Sequence, residues 1–291
     1  FFGQGLSGHT GITTASRSPQ NVRGRVISVS GLGFSLSEIV LPMATVWLLT
    51  TWHWREVWQL YAAIELVVIV AFSQILLWQF PINSQPLGTG QSPATGTNWS
   101  RGQMIRDRRF WLISPALFAP SIISTGLFFH QQSLAHTKGF PITVWASAIS
   151  AYSIAAVTVS LIAGQAVDRW TGATVIKLLL MPFILAVLAA VTISSDWLPF
   201  IYYGLMGMTF GIATPAVSAL WVELYGAANI ASIRSLAHAI MVFSSALGPV
   251  IFGTLLDNNI SWNLILVACA IWMTGATILL YITPLHKTAP Q

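Results

Sequence analysis

The sequence is poor in charged residues and has a single cysteine. Only 7% of its 291 residues are charged, whereas soluble globular domains contain about 25%, and the mean hydropathy is +0.71. This composition excludes an ordinary soluble domain. Because Cys269 is the only cysteine, an internal disulfide bond is also excluded. The net charge of +5 comes from scattered Lys and Arg residues without a dense basic patch, which argues against binding to nucleic acid.

Long polar segments are scarce as well. Residues 81–99, rich in Pro, Gly, Ser and Thr, form the one long polar gap between apolar stretches. A helix of about 20 apolar residues crosses a bilayer core, and lipid offers backbone amides no partner outside the helix. We therefore predict an all-α membrane protein with about nine transmembrane helices, over residues 1–16, 26–50, 54–78, 110–134, 143–166, 173–194, 197–222, 235–256 and 260–283.

The basic residues indicate how these helices are oriented. Eleven of the thirteen Lys and Arg residues fall in alternate gaps or in the C-terminal tail, and the other gaps hold only Arg55 and Lys138. Loops rich in Lys and Arg remain in the cytoplasm. We therefore expect Phe1 outside and Gln291 inside, in the plasma membrane, which in a bacterium is the inner membrane.

An internal repeat spans the polar gap. Residues 1–3 (FFG) match residues 202–204 (YYG), and residues 11–14 (GITT) match residues 211–214 (GIAT). Parallel repeats are typical of transporters built from two similar halves around a site at mid-membrane depth. We predict three parts: residues 1–80 as the end of a first helical bundle, 81–109 as a cytoplasmic linker, and 110–291 as a six-helix bundle.

One turn carries a charged motif. Residues 164–172 read GQAVDRWTG and follow an apolar stretch at a predicted cytoplasmic turn. The segment resembles the G-x-x-x-D-R-x-G loop of the major facilitator superfamily, with one extra residue before Gly172. Residues 3–6 (GQGL), the turn at residues 23–25 (RGR) and residues 245–249 (SALGP) are similar to members of the same superfamily.

The resemblance implies a two-bundle transporter fold that is truncated at its N-terminus. The chain would correspond to the fourth to twelfth helices of a twelve-helix member. The predicted spans that begin at residues 1, 26, 110, 143, 197 and 235 would line a central cavity, and the other three would be outer supports. The Gly-Pro pair typical of the family's antiporters is absent, since Ser37-Glu38 precedes Leu41-Pro42. This disfavours a drug–proton antiporter but leaves it open.

Ionisable and polar side chains within the spans are candidates for the solute and proton pathway. Charged groups at mid-membrane depth are costly and mark transport pathways. Glu38 lies near the middle of its predicted span, and His9 on the preceding span could form a proton relay with it. His130 and Gln131 lie near the outer end of another pathway span, where solute capture and interface packing are equally open interpretations.

Other candidates lie at the predicted cytoplasmic ends and at helix breakers. A charge network there could hold the inner ends together while the pathway is open to the outside. The resemblance places the Asp168 loop near the start of the span at Val26. The predicted gate comprises Gly164, Asp168, Arg169, Gly172, Arg23, Arg25, Glu223 and Arg234, and the residues predicted to pack or bend helices are Pro42, Gly248 and Pro249.

The interpretation that follows is a secondary active transporter of a small solute, working by alternating access and coupled to protons. An organic-anion or monocarboxylate carrier and a drug efflux antiporter remain open. Two further alternatives are a truncated membrane protein without transport and a membrane-embedded enzyme. The enzyme is disfavoured because the sequence has no H-E-x-x-H motif and no nucleophile elbow. We expect a monomer that contacts lipid, solute and protons, without cofactor, metal or nucleic acid.

Overall fold

The computed structural model describes Ala15 and residues 20–79 and 99–285 of the protein. Every regular element in these ranges is a helix. We number the α-helices in chain order: α1 Gln20–Leu49, α2 Trp54–Gln79, α3 Arg101–Arg106, α4 Arg108–Phe129, α5 Gln131–Thr137, α6 Ile142–Ser147, α7 Ile149–Arg169, α8 Gly172–Val175, α9 Met181–Thr192, α10 Leu198–Tyr225, α11 Ile230–Asp257 and α12 Trp262–Ile282. A 3-10 turn, Ile176–Leu178, links α8 to α9.

Six helical segments among the described residues are long and apolar enough to cross a membrane. They agree with the last six predicted spans, and their bounds are Arg108–Phe129, Ile142–Arg169, Gly172–Thr192, Leu198–Tyr225, Ile230–Asp257 and Trp262–Ile282. Helices α1 and α2 overlap the second and third predicted spans. The predicted span at residues 1–16 lies outside the described residues apart from Ala15. The all-α membrane fold expected from the sequence is thus confirmed.

Several predicted bounds were wrong. The stretch at 110–134 is not one helix, because α4 ends at Phe129 and α5 begins after His130, whose φ of −102° and ψ of 16° leave the helical region. The polar triplet at residues 130–132 marks this break. Helices α1 and α11 begin at Gln20 and Ile230, earlier than predicted, because helices continue past the basic residues at which an apolar run stops.

The chain forms two compact units, residues 37–96 and residues 1–36 with 97–291. In the smaller unit, the Glu56 side chain caps the start of α2, because its Oε2 accepts from the His53 amide at 2.8 Å. The hydroxyls of Thr45 on α1 and Tyr61 on α2 are 2.8 Å apart. The unit is therefore a helical hairpin joined through a short turn.

Small residues bring the helices of the larger unit together. In α10, a Cβ on Gly207 would overlap the Tyr152 carbonyl of α7, and one on Gly211 would lie 2.7 Å from the Ala156 carbonyl oxygen. Small residues spaced four apart allow this approach in membrane helices. Helices α4 and α11 meet similarly, since a Cβ on Gly248 would overlap the Ile122 carbonyl. This close contact agrees with the packing predicted for Gly248.

The predicted linker contains ordered structure at its end. Ser100 and Gln103 form a capping box at α3, and Asp107 caps α4 by accepting from the Arg109 amide at 3.0 Å. Residues 80–98 lie outside the described ranges. The predicted division into two bundles and a linker stays a prediction.

Candidate functional site

The carboxylate of Asp168, at the end of α7, lies against the first turns of α1. The amides of Gly24 and Arg25 donate to its two oxygens at 2.6 and 3.3 Å, and Arg25 Nε lies 3.3 Å from Oδ2. The Asp168 side chain is only 3% exposed, whereas that of Arg25 is 65% exposed. The start of a helix carries a positive partial charge that favours an anion. The structure thus places Asp168 beside Arg25, as the resemblance led us to expect.

Backbone contact surrounds this carboxylate. A Cβ on Gly164 would collide with Ser28 Oγ and lie 2.8 Å from the Gly24 carbonyl oxygen. The Ser28 hydroxyl donates to the Ser160 carbonyl at 2.7 Å, and both serines are buried. Glycine at positions 24 and 164 is therefore required for α1 and α7 to touch at this point. We call these residues, Gly24, Arg25, Ser28, Ser160, Gly164 and Asp168, the α1–α7 contact.

A second carboxylate binds the other end of the charged turn. Glu223 accepts from the amides of Gly172 and Ala173 at 2.7 and 2.9 Å. These are the first amides of α8, so Glu223 satisfies donors that have no partner within the helix. A Cβ on Gly172 would also lie 2.8 Å from Ala219 Cβ of α10. Two carboxylates thus fix the turn at residues 164–172. Asp168, within the turn, accepts from amides of α1, and Glu223 of α10 accepts from the first amides of α8.

The remaining predicted gate residues are placed differently. The Arg169 side chain points to the exterior, and the described ion pair of Asp168 is with Arg25 rather than with this neighbour. The side chain of Arg23 lies outside the described residues. Arg234 is partly buried near the start of α11 and has His238 one turn further along the helix. The structure therefore brings together part of the predicted gate.

The predicted outer residues take part in contacts between helices. His130 Nε2 lies 3.1 Å from the Pro249 carbonyl oxygen of α11, and the Tyr203 hydroxyl donates to Gln131 Oε1 at 3.0 Å. The Tyr203 ring stacks on Phe128, with centroids 5.8 Å apart. Pro249 lies within α11, as predicted. These bonds connect α4 and α5 to α10 and α11.

The predicted proton relay lies beyond what the structure describes. His9 falls outside the described residues, and Glu38 and Pro42 are described only as backbone within α1. The relay therefore stays a prediction. Within the described ranges, no group of three or more His, Cys, Asp and Glu side chains could hold a metal ion. Outside the spans, partial burial lowers the pKa of Lys138, whose Nζ donates to Asn263 Oδ1 at 2.7 Å.

Arg109 and Asp107 form a buried ion pair that was not predicted from the sequence. Arg109 was assigned to the cytoplasmic flank, yet its Nη2 lies 2.9 Å from Asp107 Oδ2, with side-chain exposures of 11% and 9%. Its guanidinium also lies 5.5 Å from the centre of the Trp99 ring. The signal available in the sequence was the D-x-R spacing directly before an apolar run, where an aspartate caps the helix and pairs with an arginine inside its first turn.

Six helical segments long and apolar enough to cross a membrane, with many large apolar side chains exposed on their surfaces, define this protein as a helical integral membrane protein. The sequence matches the description Major Facilitator Superfamily over residues 2–233 and again over residues 131–291. The chain belongs to the major facilitator superfamily, whose members are secondary membrane transporters rather than enzymes. A search of curated proteins finds no match to the chain.

Proposed function

We propose that the protein moves a small solute by alternating access, coupled to protons, with the α1–α7 contact as its inner gate. The observation that carries the proposal is the almost completely buried carboxylate of Asp168 on backbone amides of α1. Helix α1 belongs to the predicted first bundle and α7 to the predicted second bundle. A bond between them can hold one arrangement of the bundles against another.

The energetics favour a contact that is present in one state. Burying a carboxylate costs several kcal/mol unless hydrogen bonds replace its water. Two amides and one guanidinium supply these bonds to Asp168. When the helices separate, water can solvate the carboxylate again, so the net difference between states is about 1–2 kcal/mol. A bias of this size is suitable for a gate that must open in each cycle.

Backbone packing makes the contact specific. Arg25 is mostly exposed, so its ion pair with Asp168 contributes little by itself. The close approach at Gly24 and Gly164 and the Ser28 hydrogen bond require one relative position of the two helices. In the gate we propose, backbone packing therefore sets the relative position of α1 and α7, and the hydrogen bonds of the Asp168 carboxylate stabilise it.

Proton coupling is supported by the position of Glu38 near the middle of α1. An acidic group at that depth has a protonation state sensitive to its surroundings, and such groups form proton relays in transporters. We place the cytoplasmic side at the α1–α7 contact, because the gaps rich in Arg lie there. The same argument puts the C-terminus in the cytoplasm, and we assign the protein to the plasma membrane.

Uptake into proteoliposomes tests this function. The protein is reconstituted and offered a panel of radiolabelled solutes, including monocarboxylates and lipophilic cations, with and without an imposed pH gradient. We expect one solute class to accumulate only when the gradient is present. Accumulation of monocarboxylates would assign an organic-anion carrier, and expulsion of lipophilic cations an efflux antiporter. Equal movement of that class with and without the gradient would contradict proton coupling.

A further inference from the structure

A groove lies between α9 and α12 on the surface of the larger unit. Its volume is about 450 Å³, and its walls include Met181, Ile184, Ile278, Tyr281 and Ile282. Small-molecule sites in proteins span about 300–1,000 Å³. Large apolar side chains of both helices, including Leu185 of α9 and Ile271 of α12, are exposed, so this face meets lipid in a membrane. The groove is therefore large enough to hold part of a lipid molecule in a defined place.

The walls of the groove are apolar even where hydroxyl groups occur. The Thr274 hydroxyl donates to the Ala270 carbonyl at 2.7 Å, and the Thr277 hydroxyl donates to the Met273 carbonyl at 2.8 Å. Both hydroxyls are bonded to the backbone of their own helix. A guest in the groove therefore meets mainly methyl, methylene and ring surfaces, which suit a hydrocarbon chain.

A positive charge lies at one end of the groove. Lys177 Nζ is 5.3 Å from the centre of the Tyr281 ring, and Tyr281 is itself a wall residue. Lys177 precedes α9 in the 3-10 turn, and Tyr281 lies in the last turn of α12. Both ends are predicted to be cytoplasmic, and the cytoplasmic leaflet carries the anionic lipids that attract lysine.

We propose that this groove binds an anionic phospholipid, with an acyl chain between α9 and α12 and the phosphate beside Lys177. The charge at the mouth selects an anionic headgroup over a zwitterionic one, and the apolar walls hold the chain. Tyr281 connects the two parts, since its ring contacts the cation on one side and lines the groove on the other. The proposed lipid site does not rest on the proposed transport cycle, because none of its wall residues belongs to the α1–α7 contact.

Fluorescent lipid binding to the purified protein in detergent tests the proposal. The probes are phosphatidylglycerol and phosphatidylcholine with identical labelled acyl chains, followed by fluorescence anisotropy. We expect phosphatidylglycerol to bind about fivefold more tightly, and Lys177→Gln to remove this difference. Lys138→Gln, which changes a lysine at the opposite end of the bundle, is the matched control and should retain it.

The groove itself is tested by filling it. Ile278 and Ile271 are both exposed on α12, at 58% and 68%, and only Ile278 lines the groove. We expect Ile278→Trp to weaken binding of both lipids at least fivefold and Ile271→Trp to leave it unchanged. Equal affinity of the unaltered protein for the two lipids would overturn the proposal. So would an unchanged preference in Lys177→Gln or unchanged binding in Ile278→Trp.

Discussion

At the scale of single residues, the inner gate that we propose depends on the carboxylate of Asp168. Its side chain is 3% exposed and accepts from two backbone amides of α1. Asp168→Asn removes the charge, keeps the shape and leaves one neutral acceptor in the same place. The stabilisation that the contact loses is the difference between hydrogen bonds to a charged and to a neutral acceptor, together with the weak ion pair with Arg25.

We predict that Asp168→Asn opens the α1–α7 contact. The reporter is Ser28→Cys in a Cys269→Ala background, because Ser28 is buried at the contact. Loss of about 1–2 kcal/mol should raise the rate of maleimide labelling about 5–30-fold. Asp196→Asn, which alters an exposed carboxylate on the opposite side of the bundle, is the control. Equal labelling rates in Asp168→Asn and the parent protein would remove the gating role.

Gly164 provides a steric test of the same contact. A methyl group there would collide with Ser28 Oγ and press on the Gly24 backbone, so Gly164→Ala should force α1 away from α7. We expect faster labelling at position 28 and a loss of about 1–3 kcal/mol in stability. Gly33→Ala is the matched control on α1, since nothing lies within 4 Å of its added Cβ. Similar effects of the two substitutions would show that the contact is not tight.

At the scale of helices, close packing of α7 on α10 depends on particular glycines. Gly204 and Gly207 lie one turn apart on α10, yet a Cβ on Gly207 would overlap the Tyr152 carbonyl and one on Gly204 would meet nothing within 4 Å. Both positions are glycines of the same helix, but only Gly207 contacts a neighbouring helix. Comparing alanine variants at the two positions therefore separates the effect of helix propensity from that of interhelical contact.

We predict that Gly207→Ala destabilises the protein and Gly204→Ala does not. Alanine is the better helix former by about 1 kcal/mol, so the change at position 204 should be neutral or stabilising. At position 207 the clash should cost about 1–3 kcal/mol. Thermal unfolding in detergent, followed by circular dichroism, measures the difference. A melting temperature for Gly207→Ala equal to that for Gly204→Ala would contradict the packing described here.

The helices could largely be predicted from the sequence, whereas their interruptions could not. An apolar run of about twenty residues indicates a helix, because a single segment in lipid can satisfy its backbone hydrogen bonds only as a helix. The break at His130 concerns a single residue, and average hydropathy does not register it. The Asp168 contact was expected from a resemblance to known loops. The Ser28–Ser160 bond was not, because it depends on how residues 132 positions apart pack.

At the scale of the whole molecule, the distribution of charge predicts the orientation in the membrane. Arg-rich gaps alternate with gaps that hold only Arg55 and Lys138. Lys and Arg resist translocation, so we expect the gaps rich in them to remain inside. This assignment puts the α1–α7 contact and the mouth of the lipid groove on the cytoplasmic side, and His130 and Gln131 towards the outside. The gate and lipid proposals both use this orientation.

Cysteine accessibility tests the orientation directly. In a Cys269→Ala background, Thr137→Cys and Trp170→Cys place thiols at exposed positions at opposite ends of the bundle. We predict that a membrane-impermeant maleimide added to intact cells labels position 137 and leaves position 170 unlabelled. Disruption of the cells should expose both. Labelling of position 170 in intact cells would reverse the assignment.

Locking the α1–α7 contact tests directly whether it must open during transport. Ser28→Cys and Ser160→Cys are combined in the Cys269→Ala background and joined by a short thiol cross-linker, with each single cysteine as control. Uptake of the solute identified by the pH-gradient panel is then measured in proteoliposomes. We predict that cross-linking stops uptake in the double variant alone and that cleavage of the linker restores it. Uptake at the unlinked rate in fully cross-linked protein would contradict this prediction.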